Sequence, residues 1–135
     1  MYSFGSLSLK RLDTCDDRIK KVLREVIKIF DFTILEGFRN EVDQNLAYAR
    51  GHSKVRWPEG KHNKSPSLAV DIAPFPIDWS SKEAATQRFI YLAGHVMSEA
   101  RRQGIPLRWG GDWDGNNDTR DERFRDLGHF EINKE

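Results

Sequence analysis

A short apolar segment in the middle of the chain, residues 68–73, limits the possible folds more than any other feature. Its residues, Leu-Ala-Val-Asp-Ile-Ala, are typical of a β-strand, and the prolines at positions 74 and 76 prevent regular strand pairing beyond it. The strand contains a carboxylate, Asp71, and the polar segment before it contains an imidazole, His62. Neither residue indicates a function unless a partner elsewhere in the chain lies beside it.

A second segment, Asp-Leu-Gly-His-Phe-Glu at residues 126–131, supplies that partner. Because side chains alternate along a strand, His129 and Glu131 share one face and Phe130 points to the other. If this strand pairs with residues 68–73, Asp71 and His129 converge, and His62 reaches them from its loop. Two histidines and one carboxylate are the ligand set of catalytic zinc sites with an open coordination position.

A zinc hydrolase also needs a carboxylate that acts first as a base and then as a proton donor. Asp126 is the candidate for this role, and Glu131 is the alternative. Arg39 is a cation that can hold a substrate carboxylate or polarise a carbonyl group. Of the other histidines, His95 lies within a predicted helix and is expected to be structural or exposed. His52 lies near the polar loop, where it can contact substrate.

Length, charge and cysteine content restrict the class of protein. The 135 residues fit one domain, 1–135, and the net charge of +1 argues against a nucleic-acid partner. The single cysteine, Cys15, excludes an intrachain disulfide. The N-terminus has no signal-peptide pattern, and no apolar run is long enough to span a membrane. We therefore expect a monomer that is made in the cytoplasm and does not bind membranes.

Apolar periodicity predicts an α+β fold, in which about three helices flank a small antiparallel sheet that carries the zinc site. The predicted helices are 16–29, 41–50 and 82–103. The predicted strands are 32–36, 68–73, 107–109 and 128–133. Residues 1–13 are expected to be irregular, and residues 51–67 and 110–126 to form long loops.

Capping patterns mark the ends of the predicted helices. Thr14 with Asp17, and Ser80 with Glu83, resemble N-terminal capping boxes. Gly51 and Gly104 stand where a left-handed residue usually ends a helix. The second helix is expected to have one apolar side, formed by Val42, Leu46 and Ala49.

The two segments together resemble the zinc D-Ala-D-Ala carboxypeptidase family, which includes VanY-type carboxypeptidases and the L-alanyl-D-glutamate peptidase endolysins of phages. The resemblance lies in Lys-His at 61–62, Ala-Val-Asp at 69–71 and Asp-x-x-His-Phe-Glu at 126–131. Gly-Phe-Arg at 37–39, ahead of a helix that contains Gln44, and residues 72–79 and 108–113 are also similar to family segments. The small size and the N-terminus fit a single-domain phage endolysin best.

The resemblance implies that His62, Asp71 and His129 are the zinc ligands and Asp126 the general base. It further implies that Arg39 takes part in catalysis and contacts substrate, and that Gln44 contributes to substrate binding. One spacing departs from the family, because eight residues rather than six separate the first histidine from the aspartate. The usual spacing falls on a lysine at position 64, which cannot replace an imidazole as a zinc ligand.

Oxygen ligands also alternate in the loop after residue 111, as they do in calcium-binding loops. The candidate calcium ligands are Asp112, Asp114, Asn116 and Asp118. The segment is not an EF-hand loop, because Arg123 occupies the twelfth position, where a bidentate glutamate belongs. The alternative is a polar turn held by side-chain hydrogen bonds to its own backbone.

The expected function is therefore that of a zinc metallopeptidase that hydrolyses peptide bonds in the stem of bacterial peptidoglycan and acts on the cell wall after release. The alternatives are a D-Ala-D-Ala carboxypeptidase and a non-catalytic zinc-binding or wall-binding domain. A nuclease that uses His62 and Asn63 is disfavoured, since a near-neutral chain has little affinity for phosphate backbones.

Overall fold

The computed structural model describes residues 1–133, two residues short of the predicted domain 1–135, and shows an α+β fold built on one antiparallel sheet. The helices are α1 (Ser6–Asp13), α2 (Asp17–Val26), α3 (Glu41–Ala49) and α4 (Glu83–Gln103), with a short 3-10 turn at Lys61–Asn63. The strands are β1 (Phe32–Glu36), β2 (Ala69–Pro74), β3 (Leu107–Trp109) and β4 (His129–Ile132). Their order in the sheet is β1-β2-β4-β3, which confirms the predicted fold class and the pairing of β2 with β4.

The sheet has one apolar face and one polar face because its central strands alternate. The buried apolar face carries Val70, Ile72, Phe130 and Ile132. These residues share one hydrophobic core with α2 and α4, whose members include Ile19, Val22, Leu23, Leu92 and Val96. The opposite face presents Asp71, His129 and Glu131, so the core fixes the position of the strands that carry the candidate site.

The prediction that residues 1–13 are irregular is wrong, because Ser6–Asp13 forms α1. The sequence carries no start signal for this helix: the N-cap is Gly5, without a side-chain cap, and the first turn has no acidic residue. Tertiary contacts hold it instead. Ser8 Oγ accepts a hydrogen bond from Ile34 N at 3.1 Å, and Arg11 Nη1 donates to Ile34 O at 3.0 Å.

Two predicted capping boxes do not form. The N-cap of α2 is Asp16, which accepts a hydrogen bond from Arg18 N, rather than Thr14. The N-cap of α4 is Lys82, with no side-chain cap. The predicted left-handed glycines are confirmed at Gly51 (φ 76°) and Gly104 (φ 71°). Cap identity depends on backbone angles that the residue types alone do not specify.

The apolar side predicted for α3 does not face the protein. Val42 is 67 % exposed and Leu46 43 % exposed, whereas Gln44 is the buried residue of this helix. An apolar side of a surface helix usually packs against the core. Here α3 contacts the rest of the chain through an amide side chain, so hydrogen bonds orient it instead.

Within residues 1–133, no helix is both long enough and apolar enough to cross a membrane. The single cysteine is part of the core: Cys15 is 1 % exposed, and its backbone bridges to Ser67 just before β2. Burial raises the pKa of the Cys15 thiol to about 11 from its usual 9.0.

We predict that Cys15 makes the fold less stable as the pH rises above 9. Between pH 9 and 11 the thiol ionises in the unfolded chain but stays protonated in the folded one, so the unfolded state binds fewer protons. Urea denaturation gives the free energy of unfolding of the wild type and of Cys15→Ala. Between pH 8 and 11 this free energy should fall by about 2 kcal/mol more in the wild type than in the variant. Equal pH slopes in the two proteins would contradict this prediction.

Candidate metal centre and groove

A groove of about 610 Å³ opens on the polar face of the sheet. Its floor is formed by side chains of β2 and β4, and its walls come from residues 52–62 and 121–126. Both wall segments belong to the long loops predicted from the sequence. The groove therefore brings together the two segments that the sequence indicates as partners.

The register of β2 and β4 brings the first two predicted ligands together. Asp71 and His129 are directly opposite each other in this antiparallel pair. Asp71 Oδ1 lies 2.9 Å from His129 Nδ1. A shift of one residue would turn one of these side chains into the core, so the apolar alternation of both strands enforces the contact.

The third predicted ligand, His62, lies on the 3-10 turn that precedes β2. Its Nδ1 lies 2.7 Å from Gly37 O, a contact that requires Nδ1 to carry the proton and leaves a lone pair on Nε2. A hydrogen bond from Leu68 N to Lys61 O closes the intervening segment at its base. The spacing between His62 and Asp71 is two residues longer than the usual family spacing, and this closure accommodates the extra residues.

The donor set fits a metal ion. One ligand atom from each of His62, Asp71 and His129 lies within 4.8 Å of the other two. His62 Nε2 is buried and makes no hydrogen bond within residues 1–133, although it lies 3.3 Å from Asp71 Oδ2. A buried nitrogen with a lone pair and no donor nearby is costly unless it binds a cation.

A second layer of residues orients His129. His129 Nε2 lies 2.9 Å from Glu131 Oε1, and Glu131 Oε2 accepts a hydrogen bond from Arg108 Nη2 at 2.7 Å. Lys61 Nζ lies 3.5 Å from the same Glu131 oxygen. A carboxylate on the far nitrogen of a ligating histidine fixes its tautomer and leaves Nδ1 for the metal. Both carboxylate oxygens of Glu131 are thus engaged, one by His129 and the other by Arg108 and Lys61.

The pKa values show that the site attracts cations. Burial alone lowers the pKa of His129, but hydrogen bonds to Asp71 and Glu131 outweigh it and raise the pKa to about 10. Burial raises the pKa of Asp71 and Glu131, but the neighbouring imidazoles lower that of Asp71, and His129 and Arg108 lower that of Glu131 to about 2. The resulting negative potential favours a proton or a metal ion at the same place.

Asp126, the predicted base, borders the groove beside this cluster. Burial raises the pKa of Asp126, and the negative charge of Asp71 raises it further. Its backbone is held from two sides, because Asp126 N donates to Gly110 O at 2.8 Å and His129 N donates to Asp126 O at 3.1 Å. A Cβ atom at Gly110 would overlap Asp126 O, so only glycine permits this close approach.

Arg39 lies at the edge of the cluster and is engaged within the protein. Its guanidinium donates to Glu36 Oε1 at 2.6 and 2.8 Å, to Gln44 Oε1 at 3.1 Å and to Asp71 Oδ2 at 3.4 Å. The side chain is 13 % exposed and borders the groove. Its shortest contacts therefore go to Glu36, and its longer contact at 3.4 Å reaches the carboxylate of Asp71.

The remaining residues singled out from the sequence are His52, His95 and Gln44. His52 borders the groove, as its loop position suggested. His95 packs on α4 against the rings of Phe30 and Tyr91, at centroid distances of 5.8 and 5.0 Å, as expected for a structural residue. Gln44 is 1 % exposed, and both of its polar atoms are hydrogen-bonded within the protein. It therefore offers substrate little surface.

Sequence reasoning assigned no role to several residues that shape the groove. The ring of Trp113 lies 5.5 Å from that of His129, and its indole N–H donates to Phe124 O at 2.6 Å. The guanidinium of Arg108 lies over the Trp113 ring, 5.4 Å from its centre. The similarity of residues 108–113 to family segments was the available signal, but it carried no ligand spacing from which to assign roles.

The predicted calcium loop brings together a different set of oxygens. Asp112, Asp114 and Glu122 each offer an oxygen within 4.8 Å of the others. Asn116 and Asp118 are not part of this group: Asn116 Oδ1 accepts a hydrogen bond from Asp118 N, and the Asp118 carboxylate pairs with Arg120. The four residues that alternate in the sequence therefore do not form one common set of ligands in the structure.

Comparisons with known proteins agree with the geometry. A family model described as phage L-alanyl-D-glutamate peptidase matches residues 1–133. The L-alanyl-D-glutamate peptidase of Escherichia phage T5 is 34 % identical, with 97 % of this chain and 98 % of that protein covered. The crystal structure of the Serratia marcescens L-Ala D-Glu endopeptidase ChiX has a similar fold, with a TM-score of 0.73 at 23 % identity over 96 % of this chain and 88 % of that one. The resemblance inferred from the sequence is confirmed: the chain belongs to the phage L-alanyl-D-glutamate peptidase family and is a peptidase of the endolysin type.

Proposed function

We propose that the chain is a zinc-dependent endopeptidase that cleaves the L-alanyl-D-glutamate bond of peptidoglycan stem peptides, with residues 1–135 forming one catalytic domain that reaches the wall after release from the cell. One observation carries the zinc assignment. The buried Nε2 of His62, which makes no hydrogen bond within residues 1–133, converges with Asp71 and His129 at the floor of an open groove. The family relationship supports the choice of bond.

His62 Nε2, His129 Nδ1 and an oxygen of Asp71 would hold the ion. Two neutral imidazoles and one carboxylate suit zinc better than calcium or magnesium, which prefer oxygen ligands. When bound, zinc lowers the pKa of water and polarises the carbonyl oxygen of the substrate. Glu131 keeps His129 in the tautomer that presents Nδ1, and the carbonyl of Gly37 does the equivalent for His62.

Asp126 moves the proton. Its carboxylate accepts a proton from the water that attacks the scissile carbonyl carbon, and then donates that proton to the amine that leaves as the C–N bond breaks. The raised pKa of Asp126 supports this role, because a base must also act as an acid in the second step. Arg39 holds Asp71 in place, and its exposed edge contacts the substrate.

Two alternatives give different products. A D-Ala-D-Ala carboxypeptidase releases only free D-alanine from purified wall material. A non-catalytic wall-binding domain binds the wall without creating new amine termini. The proposed endopeptidase releases stem peptides that begin with D-glutamate and leaves L-alanine on the glycan strand. Mass spectrometry of the digest detects the new N-terminal D-glutamate.

We predict that Asp126→Asn and Glu131→Gln fail in different ways. Asp126→Asn should lower kcat by about 10²–10⁴-fold, because the proton carrier is lost. It should bind zinc normally. Glu131→Gln should instead weaken zinc binding by about 10- to 100-fold, because the orienting carboxylate is lost. The measurements are hydrolysis of purified peptidoglycan and competition for zinc with a chelator, and normal activity of Asp126→Asn would exclude Asp126 as the base.

A second prediction tests the backbone support of Asp126. Gly110→Ala should push Asp126 away from the cluster and lower kcat/KM by about 10- to 100-fold, since a displacement near 1 Å has effects of this size. The matched control is Gly94→Ala on α4, where an added Cβ meets nothing within 4 Å. The control should keep full activity and gain about 0.5–1 kcal/mol of stability from the better helix former. Equal activities of the two variants would contradict the packing argument.

We also propose that calcium binds at Asp112, Asp114 and Glu122. Asp112 Oδ1 is buried and makes no hydrogen bond with any residue of the described part, which favours a cation at that atom. Millimolar calcium should raise the Tm of the wild type by several degrees, because binding to the folded state alone stabilises it. Asp112→Asn should abolish the shift. Asp118→Asn, whose carboxylate pairs with Arg120, should retain it, and loss of the shift in both variants would instead favour the set predicted from the sequence.

A further inference from the structure

Helix α3 is attached to the protein in an unusual way. Its one buried side chain within the helix is that of Gln44, and the apolar residues Val42 and Leu46 face solvent. A helix without a buried apolar stripe gains little from the hydrophobic effect when it docks. The polar contacts of Gln44 must therefore determine where α3 lies.

The carbonyl oxygen of Gln44 faces the metal side of the groove. Gln44 Oε1 accepts hydrogen bonds from Arg39 Nη1 at 3.1 Å and from Asn63 Nδ2 at 3.0 Å. Arg39 contacts the predicted ligand Asp71, and Asn63 adjoins the predicted ligand His62 in the same 3-10 turn. Asn63 also ties that turn to its surroundings, because Nδ2 donates to Arg39 O at 3.1 Å. The oxygen of Gln44 thus supports two of the three ligands indirectly.

The amide nitrogen of Gln44 faces the opposite wall of the groove. Gln44 Nε2 donates to Ser53 Oγ at 2.9 Å and to Val55 O at 2.8 Å. Residues 53–55 border the groove and belong to the long loop that follows α3. With two bonds on each side, both N–H donors and both oxygen lone pairs of the amide are used.

We infer that Gln44 is a positioning residue that couples the substrate wall at residues 53–55 to the Arg39–His62 side of the metal centre. The inference rests on the proposed function, because it gives that site its rigid geometry. Only a glutamine-sized amide serves both sides: the oxygen accepts from two donors, and the nitrogen donates to two acceptors. Gly60 lies so close that an added Cβ would be 3.1 Å from Gln44 Oε1, so the space around the amide is already filled.

Two substitutions separate the two sides of the amide. Gln44→Glu keeps an acceptor oxygen for Arg39 and Asn63 but places a second oxygen against Val55 O, so only the loop side is lost. Gln44→Met has nearly the same shape and loses both sides. The exposed glutamine Gln87 on α4 provides the matched control Gln87→Met, which should leave every measurement unchanged.

The experiment measures zinc affinity, amide hydrogen exchange, and kcat and KM on purified peptidoglycan. Hydrogen exchange at the backbone amide of Arg39, which donates to His62 O, reports on the metal side. Exchange at the amide of Trp57, which donates to Asn45 Oδ1, reports on the loop side. Gln44→Glu should speed exchange at Trp57 and raise KM about tenfold, with kcat and zinc affinity within threefold of the wild type. Gln44→Met should also speed exchange at Arg39 and weaken zinc binding by about 10- to 100-fold.

The inference is overturned if Gln44→Met lowers the Tm but leaves zinc affinity, kcat and KM unchanged, because the amide is then a merely structural contact. It is also overturned if both variants change kcat and KM in the same proportion. If Gln44→Met does not fold, Gln44→Glu and Ser53→Ala decide the loop side by the same measurements. Zinc affinity and hydrogen exchange need no substrate, so the role of Gln44 is tested even if the wild type cleaves a different bond.

Discussion

The antiparallel pairing of β2 with β4 is the interaction on which the rest of the molecule depends. It places Asp71 opposite His129, and it buries Val70 and Phe130 on the other side of the same strands. The hydrophobic core and the candidate metal centre are therefore two faces of one pair of strands. A change of register that moved the site would also expose the core, so the free energy of folding holds the ligands in place.

The site concentrates charge in a place that is mostly buried, which is costly unless each charge has a partner. Two carboxylates, Asp71 and Glu131, flank His129, and Arg39 and Arg108 compensate them from outside. This arrangement leaves the negative potential centred between the imidazoles. In the proposed function, a cation held there would act on a substrate that enters the groove, and Asp126 would transfer the proton.

The walls of the groove are positioned by polar and steric contacts rather than by apolar burial. Gln44 holds α3 through hydrogen bonds, and Gly110 allows Asp126 to approach β3 closely. Such contacts are directional, so they fix geometry more narrowly than a hydrophobic surface does. They also permit α3 to keep Val42 and Leu46 at the surface.

The sequence by itself determined the strands, the longer helices and the identity of the candidate ligands. Alternation and helical periodicity are local properties, and the spacing of Asp126 and His129 lies within a single segment. Only the tertiary structure decided the rest. Helix α1 is held by hydrogen bonds of Arg11 and Ser8 to Ile34, which is 23 and 26 positions away in the chain. Helix α3 is oriented by Gln44, although its apolar pattern would favour a different orientation. Hydrogen bonds between distant segments override local propensity where little apolar surface is buried. The sequence therefore indicated the candidate ligands but not the residues that position them.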